Sequence, residues 1–150
     1  MMAKDLKKIT NIEDLRRIAR RKVPKMFFDY TRSGSWTENT LRHNSRDFDE
    51  IKFRQKILID MTNRSLETTM VGETVKMPVA IAPTGFTGMM HADGEIHAAR
   101  AAEKFGVPFC LSTMSICSIE DVAENTEKPF WFQRYVIKDR VFMHNLIIRA

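Results

Sequence analysis

Cysteine is scarce: Cys110 and Cys117 are the only two, and the first residues, Met1-Met2-Ala3-Lys4-Asp5, form no apolar leader. A disulfide framework is therefore not expected to stabilise the chain, and its thiols are expected to be reduced. No apolar run approaches the roughly 20 residues that cross a bilayer, so a cytoplasmic protein is the default expectation. Six glycines and five prolines are too few for a fibrous or low-complexity chain. The four histidines and two cysteines show no paired metal-ligand spacing, and no metal is expected. No stretch interleaves aromatic and basic residues as the RNA-binding modules do.

What is present is the composition of a globular protein: 43% hydrophobic and 29% charged residues in a chain of 150, enough for one domain with a core. The net charge of +5 is uneven. Residues 1–60 hold fifteen Lys/Arg against nine Asp/Glu, and residues 61–150 hold nine against ten. All of the excess is N-terminal. Such a region suits phosphate or an anionic lipid surface, with a simply solvated helix face as the plain alternative; nucleic-acid binding is not expected.

Along the chain, Thr10-Asn11-Ile12-Glu13 has the capping-box pattern, and Ile12, Leu15, Ile18 and Ala19 then form an apolar stripe. Val23-Pro24 breaks that helix and Pro24 opens another over Lys25 to Ser33, which Gly34 is expected to end. Ser35-Trp36-Thr37-Glu38 reads as a second capping box, starting a helix to about Asp47 with Leu41 and Phe48 inward. Ile51-Lys52-Phe53-Arg54 alternates as a strand would. Leu66–Met70 and Thr74–Met77 flank Val71-Gly72-Glu73 as a hairpin.

The stretch Met77-Pro78-Val79-Ala80-Ile81-Ala82-Pro83-Thr84-Gly85 is an apolar run that stops at Pro-Thr-Gly. It reads as a strand over Val79 to Ala82 buried on both faces, as parallel strands are. Pro83 donates nothing to a ladder and Gly85 carries no side chain, so the backbone beyond the strand is free to face a ligand; an ordinary βα turn is the alternative. A helix follows from Asp93 to Phe105, with Ile96, Ala98, Ala99, Ala101, Ala102 and Phe105 apolar, and Gly106 stops it. Phe109 to Thr113 is a second strand, Ser118 caps a helix ending near Asn125, Pro129 to Val136 is a third strand, and Asp139 caps a last helix with Val141, Phe142, Leu146 and Ile147 apolar.

Alternating strands and helices with polar residues at the strand ends are the grammar of a parallel α/β fold. Spacings of about 30 and 22 residues between strand starts suit a TIM (β/α)8 barrel, which takes roughly 250 residues. The expectation is an N-terminal portion of such a barrel: leading helices and a hairpin over 1–76, then three βα units over 77–150. An open third strand is a poor stopping point, so a truncation or one part of a larger assembly is expected.

These residues resemble one family closely, from Ile9 to the end: the FMN-dependent L-2-hydroxy-acid dehydrogenases and oxidases. The carriers are Pro24-Lys25-Met26-Phe27-Phe28-Asp29-Tyr30, Thr40-Leu41-Arg42-His43-Asn44, the run Met77 to Gly85, Gly94-Glu95, Leu111-Ser112-Thr113, and Phe132-Gln133-Arg134-Tyr135-Val136 followed by Lys138-Asp139-Arg140. Ser112-Thr113-Met114-Ser115 with Phe130-Trp131-Phe132-Gln133 is most similar to the bacterial respiratory L-lactate dehydrogenases.

The resemblance implies a (β/α)8 barrel with FMN over the C-terminal ends of its strands. It places backbone groups of Pro83, Thr84 and Gly85 along the isoalloxazine edge near the reactive nitrogen, and has Ser112 and Gln133 hydrogen-bond the pyrimidine side. Gly85 stands where relatives often have Ala. Tyr30 is implied to bind the substrate carboxylate and Tyr135 its hydroxyl end, since a phenol donates to an oxyanion while its ring packs. On its own pattern Tyr30 reads instead as a core aromatic beside Met26, Phe27 and Phe28.

The family's His base, carboxylate-binding Arg residues, flavin-steadying Lys and phosphate loops are implied to lie beyond Ala150. None of His43, His91, His97 and His144 takes the base's place. The expected function is oxidation of an L-2-hydroxy acid, foremost L-lactate to pyruvate, with electrons passed to a quinone or cytochrome. The 150 residues alone are expected to be inactive. Peripheral contact with the inner membrane's cytoplasmic face and a homo-oligomer at full length are also implied. A non-catalytic remnant or subunit pairing with a partner chain is the alternative.

Overall fold

The computed structural model describes residues 9–150, which divide into two compact units between Thr62 and Asn63. The first contains α1 (Ile12–Lys22), α2 (Lys25–Arg32), α3 (Asn39–Arg46) and a 3-10 turn over Asp47–Glu50. Asn11, not Thr10, caps α1: its side chain accepts from Asp14 N–H, while Thr10 N–H and Oγ1 donate to Asp14 Oδ2 at 3.1 and 3.0 Å. Glu13, expected to complete the box, is instead paired with Arg16 at 2.5 Å. Pro24 caps α2, and Ser33 in extended conformation ends it, without a left-handed glycine.

The second expected capping box does not form. Trp36 and Glu38 are both left-handed, Glu38 Oε1 accepts from Gly34 N–H at 3.2 Å, and α3 begins only at Asn39. Phe48, expected to face inward, is 72% exposed, and no described residue of this unit is buried. Residues 51–62 form no strand. Alternation over Ile51–Arg54 marks one apolar face, but a strand also needs a ladder partner for its backbone, and none pairs with it.

The second unit opens with the hairpin β1 (Thr68–Met70) and β2 (Glu73–Val75), antiparallel, with Thr68 opposite Val75. Its two-residue turn, Val71-Gly72, has both residues at positive φ, 50° and 83°, as the right-handed twist of a tight hairpin requires. Then come a single-turn helix α4 (Thr87–Met90), α5 (Gly94–Phe105), β3 (Cys110–Ser112), α6 (Ile119–Glu124), β4 (Trp131–Gln133) and α7 (Arg140–Arg149). β3 and β4 are parallel, pairing Cys110 with Trp131, Leu111 with Phe132 and Ser112 with Gln133.

The first expected parallel strand contracts to one residue. Ile81 bridges Phe109 in parallel, giving its N–H to Pro108 O at 2.9 Å and accepting from Cys110 N–H at 3.0 Å. Val79 N–H turns back to Met77 O at 2.7 Å, and Pro78 and Pro83 have no N–H to give, which ends the ladder on both sides. Nor is this segment buried on both faces: Val79 is 46% and Ile81 41% exposed. The third strand likewise pairs only over Trp131–Gln133 rather than Pro129 to Val136.

α5 lies on this sheet through Ile96, Ala99 and Ala102, while Ala101 and Phe105 face out. Gly106 at φ 86° ends it, and Gly106 O accepts from Lys76 N–H at 2.9 Å, tying the helix end to the hairpin. Ser118 and Asp121 form a full capping box on α6, and Asp139 Oδ1 accepts from Phe142 N–H at 3.0 Å to start α7. The core joins Ile96, Ala99 and Ala102 to Phe109, Leu111, Ile119, Val122 and Leu146. Leu111 and Val122 have no exposure at all, each contributing about 1.5–3 kcal/mol by burial. On α7, Met143 and Leu146 turn inward, whereas Val141, Phe142 and Ile147 are exposed.

Candidate active site

The C-terminal ends of the parallel segments converge. β3 ends at Ser112 and β4 at Gln133, and the register sets them side by side. Ser112 Oγ donates to Gln133 Oε1 at 3.3 Å, and Thr113 N–H donates to the same oxygen at 3.4 Å. Ser112 Oγ also accepts from Met114 N–H at 3.1 Å. Thr113 Oγ1 donates to Gln133 O at 2.5 Å and accepts from Tyr135 N–H at 3.2 Å. Backbone groups that leave the ladder at a strand end need partners, and here side chains supply them. Ser112 is 4% exposed and its one proton is committed to Gln133. With Oε1 assigned as the acceptor, Nε2 is the donor that Gln133 retains.

The segment after Ile81 reaches the same place. Phe86 N–H donates to Met114 O at 2.9 Å, and Thr87 Oγ1 to Thr84 O at 3.0 Å. A Cβ added to Gly85 would lie 3.1 Å from Met114 Cβ and 3.9 Å from Ser112 Oγ, so the absent side chain allows this approach. Pro83 and Thr84, just before it, are exposed. Gly85, Ser112 and Gln133 are thus brought together, with Tyr135, 54% exposed, two residues past Gln133. Tyr30 stands on α2 of the first unit; at 65% exposure it is not a core aromatic of the Met26–Phe28 cluster.

Glu95 carries no role in the sequence reading, yet among the described residues it is the charged side chain most completely enclosed, at 2% exposure. Its Oε1 accepts from Gly88 N–H and Ile116 N–H, each at 3.0 Å. Burial works to raise its pKa, but the N–H groups of Ile116 and Gly88 outweigh it and hold the carboxyl below the usual range. Burial, then the neighbouring Glu95 carboxylate, pushes the Cys117 thiol up to about 11. The available signal was helical register: Glu95 shares a face with Ala99 and Ala102, where an apolar residue is the rule.

The histidines lie apart from the strand-end cluster's hydrogen bonds. His43 Nδ1 is 3.1 Å from Asp47 Oδ1, the His91 and His97 rings meet edge to face at 5.3 Å, and His144 is on α7. Among the described residues no three His, Cys, Asp or Glu side chains gather as a metal site. A cavity of about 620 Å³ opens at the other end of the sheet, lined by Val75, Lys76, Gly106, Pro108, Phe109 and Phe130. Sites in parallel α/β folds lie at the C-terminal strand ends, so the cavity is not the candidate.

Positions 19–150 match the family model described as FMN-dependent dehydrogenase. Over 137 residues, 91% of the chain, the sequence is 50% identical to an L-lactate dehydrogenase of Vibrio parahaemolyticus serotype O3:K6 (strain RIMD 2210633), of which it covers 36%. Among solved structures, a monotopic membrane protein, (S)-mandelate dehydrogenase, superposes with a TM-score of 0.88 at 38% identity, over 95% of this chain and 38% of that one. A lactate oxidase, so named putatively, from Pediococcus acidilactici gives a TM-score of 0.88 at 32% identity, over 95% and 40%. The chain spans little more than a third of the length of the curated relatives it matches.

Proposed function

The chain belongs to the FMN-dependent dehydrogenase family, and from that premise we propose that the protein containing it oxidises an L-2-hydroxy acid, L-lactate foremost, to the 2-oxo acid. One observation carries the site: Ser112 and Gln133, hydrogen-bonded at the ends of adjacent parallel strands, with Gly85 closing against them. The arrangement fits a flat ring with a polar edge. The backbone over Pro83–Gly85 is outside the ladder, Gly85 has no side chain, and Gln133 Nε2 remains a donor. FMN, when bound, supplies the acceptor for the hydride equivalent leaving the substrate's C2.

The chain's own residues then have assigned tasks. Gln133, with Ser112 holding its amide, orients the polar ring edge; Pro83, Thr84 and Gly85 offer backbone along the reactive edge. Tyr135 holds the substrate oxygen at C2 by donating from its phenol, and Tyr30 binds the carboxylate in the same way. The base that removes the substrate proton, the carboxylate-binding Arg residues and the phosphate anchor are proposed to come from outside these 150 residues. Residues 77–150 are proposed as the first three βα units of a (β/α)8 barrel, with the leading helices and the hairpin over 1–76 preceding them.

Electrons pass on to a quinone or cytochrome. No helix among the described residues is long and apolar enough to cross a membrane. The excess of Lys/Arg over residues 1–60 suits peripheral contact with an anionic cytoplasmic face, and neutralising it is expected to weaken vesicle binding. At full length the enzyme is proposed to be a homo-oligomer.

The test is lactate-dependent reduction of a dye by the gene product containing this chain, with FMN retained through purification. The 150 residues alone are expected to give no turnover. Dye reduction by the short chain would refute the assignment of the base to later sequence. A gene product no longer than 150 residues, without activity, would favour the non-catalytic subunit instead.

A further inference from the structure

One enclosed charge is left without a task by that reading. Glu95 lies in the first turn of α5, and both partners of its Oε1 come from the connections that follow the Ile81 segment and β3: Gly88, in the single turn of α4 three residues after Gly85, and Ile116, four after Ser112. We propose that Glu95 is a positioning residue for the flavin site, its carboxylate locking the loop after the Ile81 segment to the loop after β3 so that Gly85 and Ser112 keep their spacing. The inference rests on the FMN reading above.

The lock has a close fit on every side. Each N–H reaches Oε1 at 3.0 Å, so one oxygen joins two segments 28 residues apart in sequence. The second oxygen, Oε2, is buried and receives no N–H or O–H donor from the described residues. A Cβ on Gly88 would come within 2.7 Å of Ile116 Cβ and 3.1 Å of Glu95 Oε2, and a Cβ on Gly94 within 2.8 Å of Thr87 O. Contacts under 3 Å force something to move, so these two glycines permit the approach that the carboxylate then holds. The same two loops meet again nearer the site, where Phe86 N–H donates to Met114 O at 2.9 Å. A carboxylate accepting backbone N–H bonds makes charge-assisted contacts, stronger than the neutral bonds an amide would leave.

A carboxylate that served folding alone would lower stability when removed and leave the flavin site alone. The experiment therefore reads both. In the gene product containing this chain, Glu95→Gln and Glu95→Ala are compared with wild type by FMN affinity, by the visible circular dichroism of the bound flavin, and by hydrogen exchange at Gly88 and Ile116. Glu95→Gln is expected to weaken FMN binding about tenfold and Glu95→Ala about a hundredfold, with exchange at both amides rising in the same order and the dichroism altered. Variants that melt earlier yet bind FMN with unchanged affinity and dichroism would overturn the positioning role. If Glu95→Ala does not fold, the isosteric Gln variant decides by the same criteria. Wild-type protein that fails to bind FMN would overturn the family-based reading and this inference with it; unaltered variants of a wild type that does bind would overturn this inference alone.

Discussion

Removing the Ser112 hydroxyl probes the strand-end pair directly. Ser112→Ala takes away the acceptor of Met114 N–H and one of two donors to Gln133 Oε1, leaving that oxygen only the longer 3.4 Å bond from Thr113 N–H. A buried N–H left alone costs about 1–3 kcal/mol. Met114 is 43% exposed, so water reaches its neighbourhood and the cost falls at the lower end, about 1 kcal/mol, with about as much again from the loosened Gln133 amide. Urea unfolding should therefore show a loss of roughly 1–2 kcal/mol, and FMN titration roughly a tenfold rise in Kd, one order of magnitude being about 1.4 kcal/mol. The pair should also fail additivity: Ser112→Ala and Gln133→Ala combined should cost less than their sum by at least about 0.5 kcal/mol. Additive effects with unchanged FMN affinity would refute the argument that the two side chains act as one unit.

Two further expectations concern titration. Glu120 and Arg149 join α6 to α7 through paired hydrogen bonds of 2.7 and 2.8 Å, and the guanidinium holds the Glu120 carboxyl at about 2 against an ordinary 4.5. Because the folded value is the lower one, this contribution is complete above pH 4.5 and is lost as pH falls toward 2; the stability gap between wild type and Glu120→Gln should close over that range, and a gap independent of pH would refute it. Cys117, raised to about 11 by burial and then by Glu95, should react slowly with iodoacetamide at pH 8 in the native protein and faster in Glu95→Gln. Native alkylation as fast as in urea would contradict the enclosure described.

Features decided by a few neighbouring residues were legible without coordinates. Asp139 and Ser118 accept at their helix starts and Gly106 takes the left-handed stop, each from local chemistry alone, while the hairpin turns more tightly than expected, over Val71-Gly72, because Glu73 joins β2 opposite Met70. Periodicity did less, because it marks a face as apolar and not as covered: Phe48, Val141 and Ile147 lie on apolar stripes and are exposed. The segment Val79–Ala82 has strand composition, but its hydrogen bonds depend on what Pro78, Pro83 and the Val79 turn withhold, and only Ile81 pairs. Glu95 was the hardest to read, since its partners are 7 and 21 residues away and both are backbone groups that no side-chain motif announces.

The candidate site lies between these cases, and its geometry orders residues that the sequence could only gather. Ser112 and Gln133 both sit at strand ends, and either alone is a plausible donor to a bound ring. A serine hydroxyl has one proton, however, and that of Ser112 goes to Gln133 Oε1 while its oxygen also takes Met114 N–H. Toward a ligand Ser112 has only acceptor capacity left, whereas Gln133 has Nε2 to donate. The two therefore complement each other: one side chain can accept from the ring edge and the other donate to it, and Thr113 N–H, a donor only, keeps Gln133 Oε1 turned toward β3 so that those senses do not exchange.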